Sequence, residues 1–239
     1  MTAAPEREAA RPDPGPSGRI FTSLEAMWNE RHSARGFHPE PIPRDELTHL
    51  FTAAQRAPSW CNVQPWHVAV TEPPVTSQLA DAMQAAARSG LPQAELPFTM
   101  SYPPPFKERR VACGAALYQA MGVARDDMAG RYDAFLRNYA FFGAPHVAIV
   151  SCDRRLGPYA YVDVGVWLGY LLSACAALQI DTCPLASVAA YPEPLRARLP
   201  IPESNVILFG VALGYADDAP ANQCRTSREP IAANIAFVA

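Results

Sequence analysis

The chain lacks a Gly-x-Gly-x-x-Gly turn and a phosphate loop ending in Gly-Lys-Ser/Thr. Neither a dinucleotide fold nor a nucleoside-triphosphate loop therefore has an anchor in it. No internal repeat is visible, and no catalytic triad or metal-ligand cluster shows in the spacing of its polar residues. The six cysteines, Cys61, Cys113, Cys152, Cys175, Cys183 and Cys224, are scattered, with no Cys-x-x-Cys and no histidine cluster at the spacing zinc needs. Reduced thiols and a cytoplasmic location are the expectation. Charge is nearly balanced, 20 basic against 23 acidic residues for a net charge of -3. That gives no electrostatic reason to expect nucleic acid or an acidic membrane surface as partner. Residues 1–19 lack the apolar core of a secretory signal; polar and rich in Ala, Pro, Glu and Arg, they are expected to form a mobile tail. The run Val164 to Ile180, in which only Ser173 and Gln179 are conventionally polar, falls short of the ~20 residues of a membrane span and lacks flanking basic residues. It reads as a buried core helix, and Gly165 and Gly169, four apart, would let another helix approach closely, for instance across a dimer axis.

What is present is concentrated in a few stretches. Hydrophobic residues make up 49% of the 239, enough for a substantial core in one large domain or two small ones. Arg31-His32-Ser33-Ala34-Arg35-Gly36-Phe37 puts two guanidinium forks and a hydroxyl within five residues, a donor set suited to an anion with several oxygens such as phosphate. A solvated basic turn is equally open on the residues alone. Ala57-Pro58-Ser59-Trp60-Cys61-Asn62-Val63-Gln64-Pro65-Trp66 is a polar loop in which Pro58 must stop the preceding helix. Capping that helix would account for Ser59 and leave Asn62 and Gln64 without a purpose. Both amides donate and accept, as the polar edge of a flat heterocycle requires. Together the two stretches suggest a phosphorylated, planar, hydrogen-bonding cofactor.

Periodicity places the rest. Helices are expected over 23–30 (capped by Thr22 or Ser23), 44–56 (Leu47, Leu50, Phe51 and Ala54 on one face) and 75–89, with Gly90 as a left-handed cap. Strands are expected over 67–71, 147–151 and 205–213, helices over 162–178 and 192–199, and a turn into a small apolar stretch over 179–187. Between Leu91 and Phe106 five prolines mark an extended excursion, followed by helices over 108–124 and 126–139, the second opened by Asp126-Asp127 where the helix dipole favours negative charge. Such an insertion is a candidate lid. Its aromatics, Phe98, Tyr102, Phe106, Tyr118, Tyr132, Phe135 and Tyr139, read mostly as packing, with one or two facing substrate. His67 reads as structural, and Cys61 and Cys183 as small side chains without a base to activate them.

Arg-x-Ser-x-Arg-x-Phe, then Pro41-Ile42-Pro43 and its helix, then Ala-Pro-Ser-x-x-Asn-x-Gln-Pro-Trp, resembles the amino-terminal half of the FMN-dependent nitroreductase family, and the likeness covers most of the chain after Phe21. The resemblance implies an α+β fold, a central mostly antiparallel sheet flanked by helices, in an intertwined homodimer with two FMN sites at the interface. It implies a single domain over 20–239, with 91–140 as a helical lid and 221–239 as a carboxy-terminal arm. It assigns Arg31, His32, Ser33 and Arg35 to FMN, with a phosphate-binding basic residue returning from the arm: Arg228 fits best and Arg225 second. Pro58, Ser59, Trp60, Asn62 and Gln64 would line the ring and ribityl chain. The backbone of Pro184, Leu185, Ala186 and Ser187 would lie against the ring and tune it, with no catalytic side chain. The implied activity is ping-pong reduction of nitroaromatics, quinones or related small electron acceptors by NADPH or NADH. Dehalogenase or dehydrogenase chemistry, and a flavin carrier without turnover, are the alternatives; neither nucleic acid nor membrane is implied.

Overall fold

The structure, a computed structural model, describes residues 15–238, and the first fourteen residues of the expected tail lie outside them. It divides between Arg31 and His32 into two compact units. The first unit contributes helix α1, Gly15–Glu30. This helix starts eight residues before the expected position, so 15–19 are helical and not tail. Pro16 sits in the first turn, where a helix has no use for the missing N–H. Thr22 and Ser23, expected as caps, instead return their hydroxyls to the carbonyls of Gly18 and Arg19 (both 3.0 Å).

The second unit is built on a four-stranded sheet: β1, Trp66–Val70; β2, His146–Asp153; β3, Asp181–Leu185; and β4, Asn205–Gly214. Every strand pair is antiparallel, in the order β1-β2-β4-β3. Helices α2 (Arg44–Ala54), α3 (Val75–Ser89), α4 (Phe106–Ala120), α5 (Met128–Leu136), α6 (Pro158–Ala177) and α7 (Pro192–Arg196) connect the strands, and the architecture is α+β. Central strand β2 is buried from His146 to Cys152. Its alternating side chains feed two cores, Val147 and Ile149 on one face, Ala148, Val150 and Cys152 on the other. A strand covered on both faces reads as a continuous apolar run, which is why no alternation marks it in the sequence.

On one face α2 and α6 pack together. The α2 stripe buries Leu47, Leu50 and Ala54, and α6 buries Ala160, Val164, Trp167, Leu171 and Cys175 at helical spacing. Trp167 stacks between Phe51 (6.5 Å) and Trp66 (6.2 Å). Helix α6 has the length and hydropathy of a membrane span, yet that buried stripe belongs to the core beneath the sheet. Its opposite side, with Tyr159, Val162, Val166 and Tyr170, is exposed, and a Cβ added at Gly165 or Gly169 would meet nothing within 4 Å.

One local expectation differs. Gly90 is extended (φ -103°, ψ 153°), not left-handed, because the chain leaves α3 straight into the proline-rich excursion, where the Gln93 amide pairs with the Ala190 carbonyl (2.8 Å). Residues 181–185 form an edge strand, with a 3-10 turn over Ala186–Ala190.

Candidate cofactor site

The segment after His32 runs along the outer edge of β3. Ser33 bridges Thr182 in parallel, the Ala34 amide donates to the Thr182 carbonyl (2.9 Å), and Phe37 bridges Ala216 beyond β4. Ala34 and Phe37 are buried and anchor the segment, while Arg35 stays partly exposed. The main chain between them is held on every side. The Arg35 amide donates to Asn222 Oδ1 (2.6 Å), the Arg35 carbonyl accepts from the Arg137 guanidinium (2.7 Å), and the Gly36 carbonyl accepts from Asn222 Nδ2 (2.9 Å) and the Asp217 amide (3.2 Å). The Arg35 guanidinium folds back on the Ser33 carbonyl (3.2 Å). Gly36 is required by contact: a Cβ there would lie 2.2 Å from Asp217 Oδ1 and 2.6 Å from Ala219 Cβ.

Strand β3 continues from Thr182 to Pro184 and Leu185, and Ala186 and Ser187 open the 3-10 turn that follows. The Ser187 hydroxyl is buried without a hydrogen-bond partner, an arrangement that costs free energy unless a ligand completes it. From the carboxy-terminal side, Arg225 donates to the carbonyls of Asn222 (2.8 Å) and Cys224 (3.2 Å). Among the described residues, Arg228 bonds within its own exposed stretch, to Thr226 and Ser227. The next residue, Glu229, pairs with Arg109 of α4 at 3.2 Å, tying the arm to that helix. Ser33, Arg35, the β3 end and Arg225 are thus linked through Thr182 and Asn222. Arg31 belongs to the first unit, where its amide continues the helical pattern to the Met27 carbonyl (3.0 Å); His32 begins the second.

The loop from Pro58 to Gln64 is organised around a different element. The Trp60 amide donates to both carboxylate oxygens of Asp163 on α6 (3.2 Å each), and the Trp60 ring meets Tyr159 edge-on at 5.3 Å. Ser59 does not cap α2; its hydroxyl accepts the Gln64 amide (2.9 Å) and closes the loop on itself. Cys61, Asn62 and Gln64 all hold positive φ, 50°, 57° and 50°, a strained run for residues with a Cβ. Their side chains are exposed, as is Trp60. The hydrogen bonds of this loop run to Asp163 and within itself, not to the 33–37 segment of the same chain.

The lid expectation meets an exposed pair of helices. Helix α4 buries no residue and α5 only Leu136. Five of the seven aromatics, Phe98, Tyr102, Phe106, Tyr132 and Phe135, are exposed, against the packing expected of most of them; Tyr139 alone is fully buried. Asp127 caps α5 as its position suggests, accepting the Gly130 amide at 2.9 Å. Between α4, α5 and Arg35 lies a cavity of ≈ 120 Å³ walled by Tyr118, Phe135, Arg137 and Phe142. Burial pushes the Cys175 thiol up to about 12, leaving it inert, while Cys61 and Cys113 are exposed. His67, on β1, places Nδ1 3.4 Å from the Ser151 hydroxyl, within the sheet. Among the described residues no three His, Cys, Asp or Glu side chains meet as metal ligands.

The model of the nitroreductase family matches residues 29–215. The chain belongs to the nitroreductase family. It is 32% identical to nitroreductase NfnB of Mycolicibacterium smegmatis over 210 residues, 87% of this chain and 88% of that one. It is 33% identical to a 4-nitrobenzoate reductase of Pseudomonas putida over 216 residues, 88% and 93% of the two chains. Its fold superposes on the crystal structure of the FMN-dependent nitroreductase NfnB from Mycobacterium smegmatis in complex with NADPH, with a TM-score of 0.89, 30% identity, and coverage of 92% and 100%. The nitroreductase-like fold expected from the motifs is therefore the fold of this chain.

Within this family member, the residues that hold the 33–37 segment escape a reading by motif. Asn222, Asp217 and Arg137 lie 187, 181 and 102 positions from their partners Arg35, Gly36 and Arg35. No local pattern announces such a contact. Only the turn-forming Ala219-Pro220-Ala221 ahead of Asn222 hints at a fixed backbone there.

Proposed function

We propose that this chain is an FMN-dependent nitroreductase that uses NADPH, or NADH, to reduce nitroaromatic or related electron-poor acceptors in the cytosol, where its six free cysteines stay reduced. The observation that carries this is the junction at Asn222, which links the Arg-x-Ser-x-Arg segment to a carboxy-terminal arginine, together with the similarity to nitroreductases over most of the chain. The residues fit the cofactor. Arg35 and Arg225, with Ser33, supply the guanidinium and hydroxyl donors a phosphate dianion needs. The orphaned Ser187 hydroxyl, beside the backbone of Pro184, Leu185 and Ala186, offers a polar contact to the flavin end. Arg228, ranked first by the family motif, is placed second here because Arg225 is the one bonded to Asn222.

Bound FMN supplies hydride transfer from NADPH to the acceptor. The chain's own residues bind, orient and shield. The arginines neutralise the phosphate, and the β3 end presents main-chain groups to the ring. Asn62 and Gln64 carry amides suited to the ring edge and ribityl hydroxyls. We infer that this last loop serves the second subunit of a homodimer, since it is exposed and bonded to α6. The apolar outer side of α6 and the exposed Ile231, Ile235, Phe237 and Val238 are surfaces such a dimer would cover. Donor and acceptor would then use the same face in turn, the donor leaving first.

The test is an anaerobic mixture of the purified yellow protein, sized by light scattering, with NADPH. Bleaching of the flavin absorbance, reversed by 4-nitrobenzoate, in a particle of two chains is expected. Flavin that neither NADPH nor NADH bleaches would make the protein a flavin binder without turnover.

A further inference from the structure

Asn222 is 4% exposed, and its side chain satisfies four polar groups on two segments that meet only in the folded chain. Its Oδ1 accepts the Arg35 amide at 2.6 Å; its Nδ2, sharing two hydrogens among three acceptors, donates to the Gly36 carbonyl (2.9 Å), the Asp217 carbonyl (2.9 Å) and Asp217 Oδ1 (3.1 Å). Its own carbonyl accepts from the Arg225 guanidinium at 2.8 Å. One residue therefore holds the backbone of one arginine and the side chain of the other. We propose that Asn222 is a positioning residue for a cofactor phosphate, fixing Arg35 and Arg225 relative to each other so that both guanidiniums meet the same anion.

The proposal rests on the FMN reading above and goes further by naming what assembles the grip. Only an amide suits this place. An aspartate could accept from Arg35 but could not donate to Gly36, and it would set a negative charge beside the phosphate. The turn around Asn222 is itself rigid: Pro220 opens a 3-10 turn over Pro220–Gln223, the Asn222 amide donates to the Ala219 carbonyl (2.8 Å), and Gly36 leaves no room for the two segments to slide. Donors held in place before the ligand arrives spare it the entropy of ordering them, so the gain falls on the phosphate and not on the ring.

That selectivity is the readout. Apo-protein is titrated with FMN and with riboflavin, which differ only in the phosphate. Wild type is expected to prefer FMN, and Asn222→Ala to lose about tenfold of that preference, the effect of a lost charge-assisted contact, with riboflavin affinity little changed. Asn222→Ser, which keeps an acceptor within a smaller side chain, is the milder variant should the alanine variant not fold, and a smaller loss of preference is expected from it. A folded variant whose FMN and riboflavin affinities fall by the same factor, or not at all, overturns the proposal and leaves Asn222 a packing residue. A wild type that binds riboflavin as tightly as FMN fails at an earlier step, contradicting the arginine grip itself and this inference with it.

Discussion

His146 opens β2 and is fully buried, with both ring nitrogens engaged. The Ile42 amide donates to Nε2 (2.9 Å), so Nδ1 carries the proton and donates to the Thr71 carbonyl (3.0 Å). This neutral tautomer stitches the Pro41-Ile42-Pro43 turn to the end of β1. His146→Ala should orphan two buried backbone groups and cost about 3 kcal/mol, read as a fall in the urea midpoint at constant slope. A loss below about 1 kcal/mol would show the two groups finding water. Single residues also mark where the sequence was hardest to read. Pro58 made the loop legible, but nothing in Cys61 or Gln64 announces a left-handed backbone; there the closed loop overrides local preference. Asn222 was silent for the opposite reason, because its partners are far away in the chain.

Elements were more legible than their ends. The α2 stripe, the three apolar strands and the long α6 were readable because each buries a face wide enough to impose a period or a continuous run. Helix α1 began early because its first residues share the polar, proline-containing composition that reads as tail, and residues 181–185 were ambiguous because an edge strand this short has no period to count. The irregular stretch before α4 shows how an element without a core is still held. Glu95 accepts from Arg196 (2.8 Å), Arg154 (3.1 Å) and the Ile207 amide (3.0 Å), pinning this stretch to α7 and β4. Burial alone would raise its carboxyl, but the Ile207 amide and the two arginines outweigh that and hold it below its usual value. A carboxyl lowered by folding stabilises the fold above its unfolded value, about 4.3, and that contribution is lost as pH falls through the lower folded value. Glu95→Gln should therefore cost about 2 kcal/mol at pH 7, and the gap to wild type should narrow steadily below about pH 4. Urea unfolding at both pH values checks this, and a gap that does not change with pH contradicts it.

At the scale of the whole molecule, the fold divides its work between two surfaces. One gathers Ser33, Arg35, the β3 end and Arg225; the other exposes the Ser59–Gln64 loop and the apolar side of α6. The sequence named the residues of both surfaces but not their separate hydrogen-bond networks, since motif order says nothing about which distant partners a segment meets. The central claim is that arginines on the first surface hold the phosphate of FMN. It is tested most directly by following FMN fluorescence as apo-protein is added to the free flavin, for wild type and for Arg35→Ala. The account predicts quenching that saturates at one FMN per chain in a dimer, and affinity about 10- to 100-fold weaker in the variant, the equivalent of ~1.5–3 kcal/mol for a charge-assisted contact. FMN fluorescence left unchanged by wild type, or equal affinities for the two proteins, would contradict it.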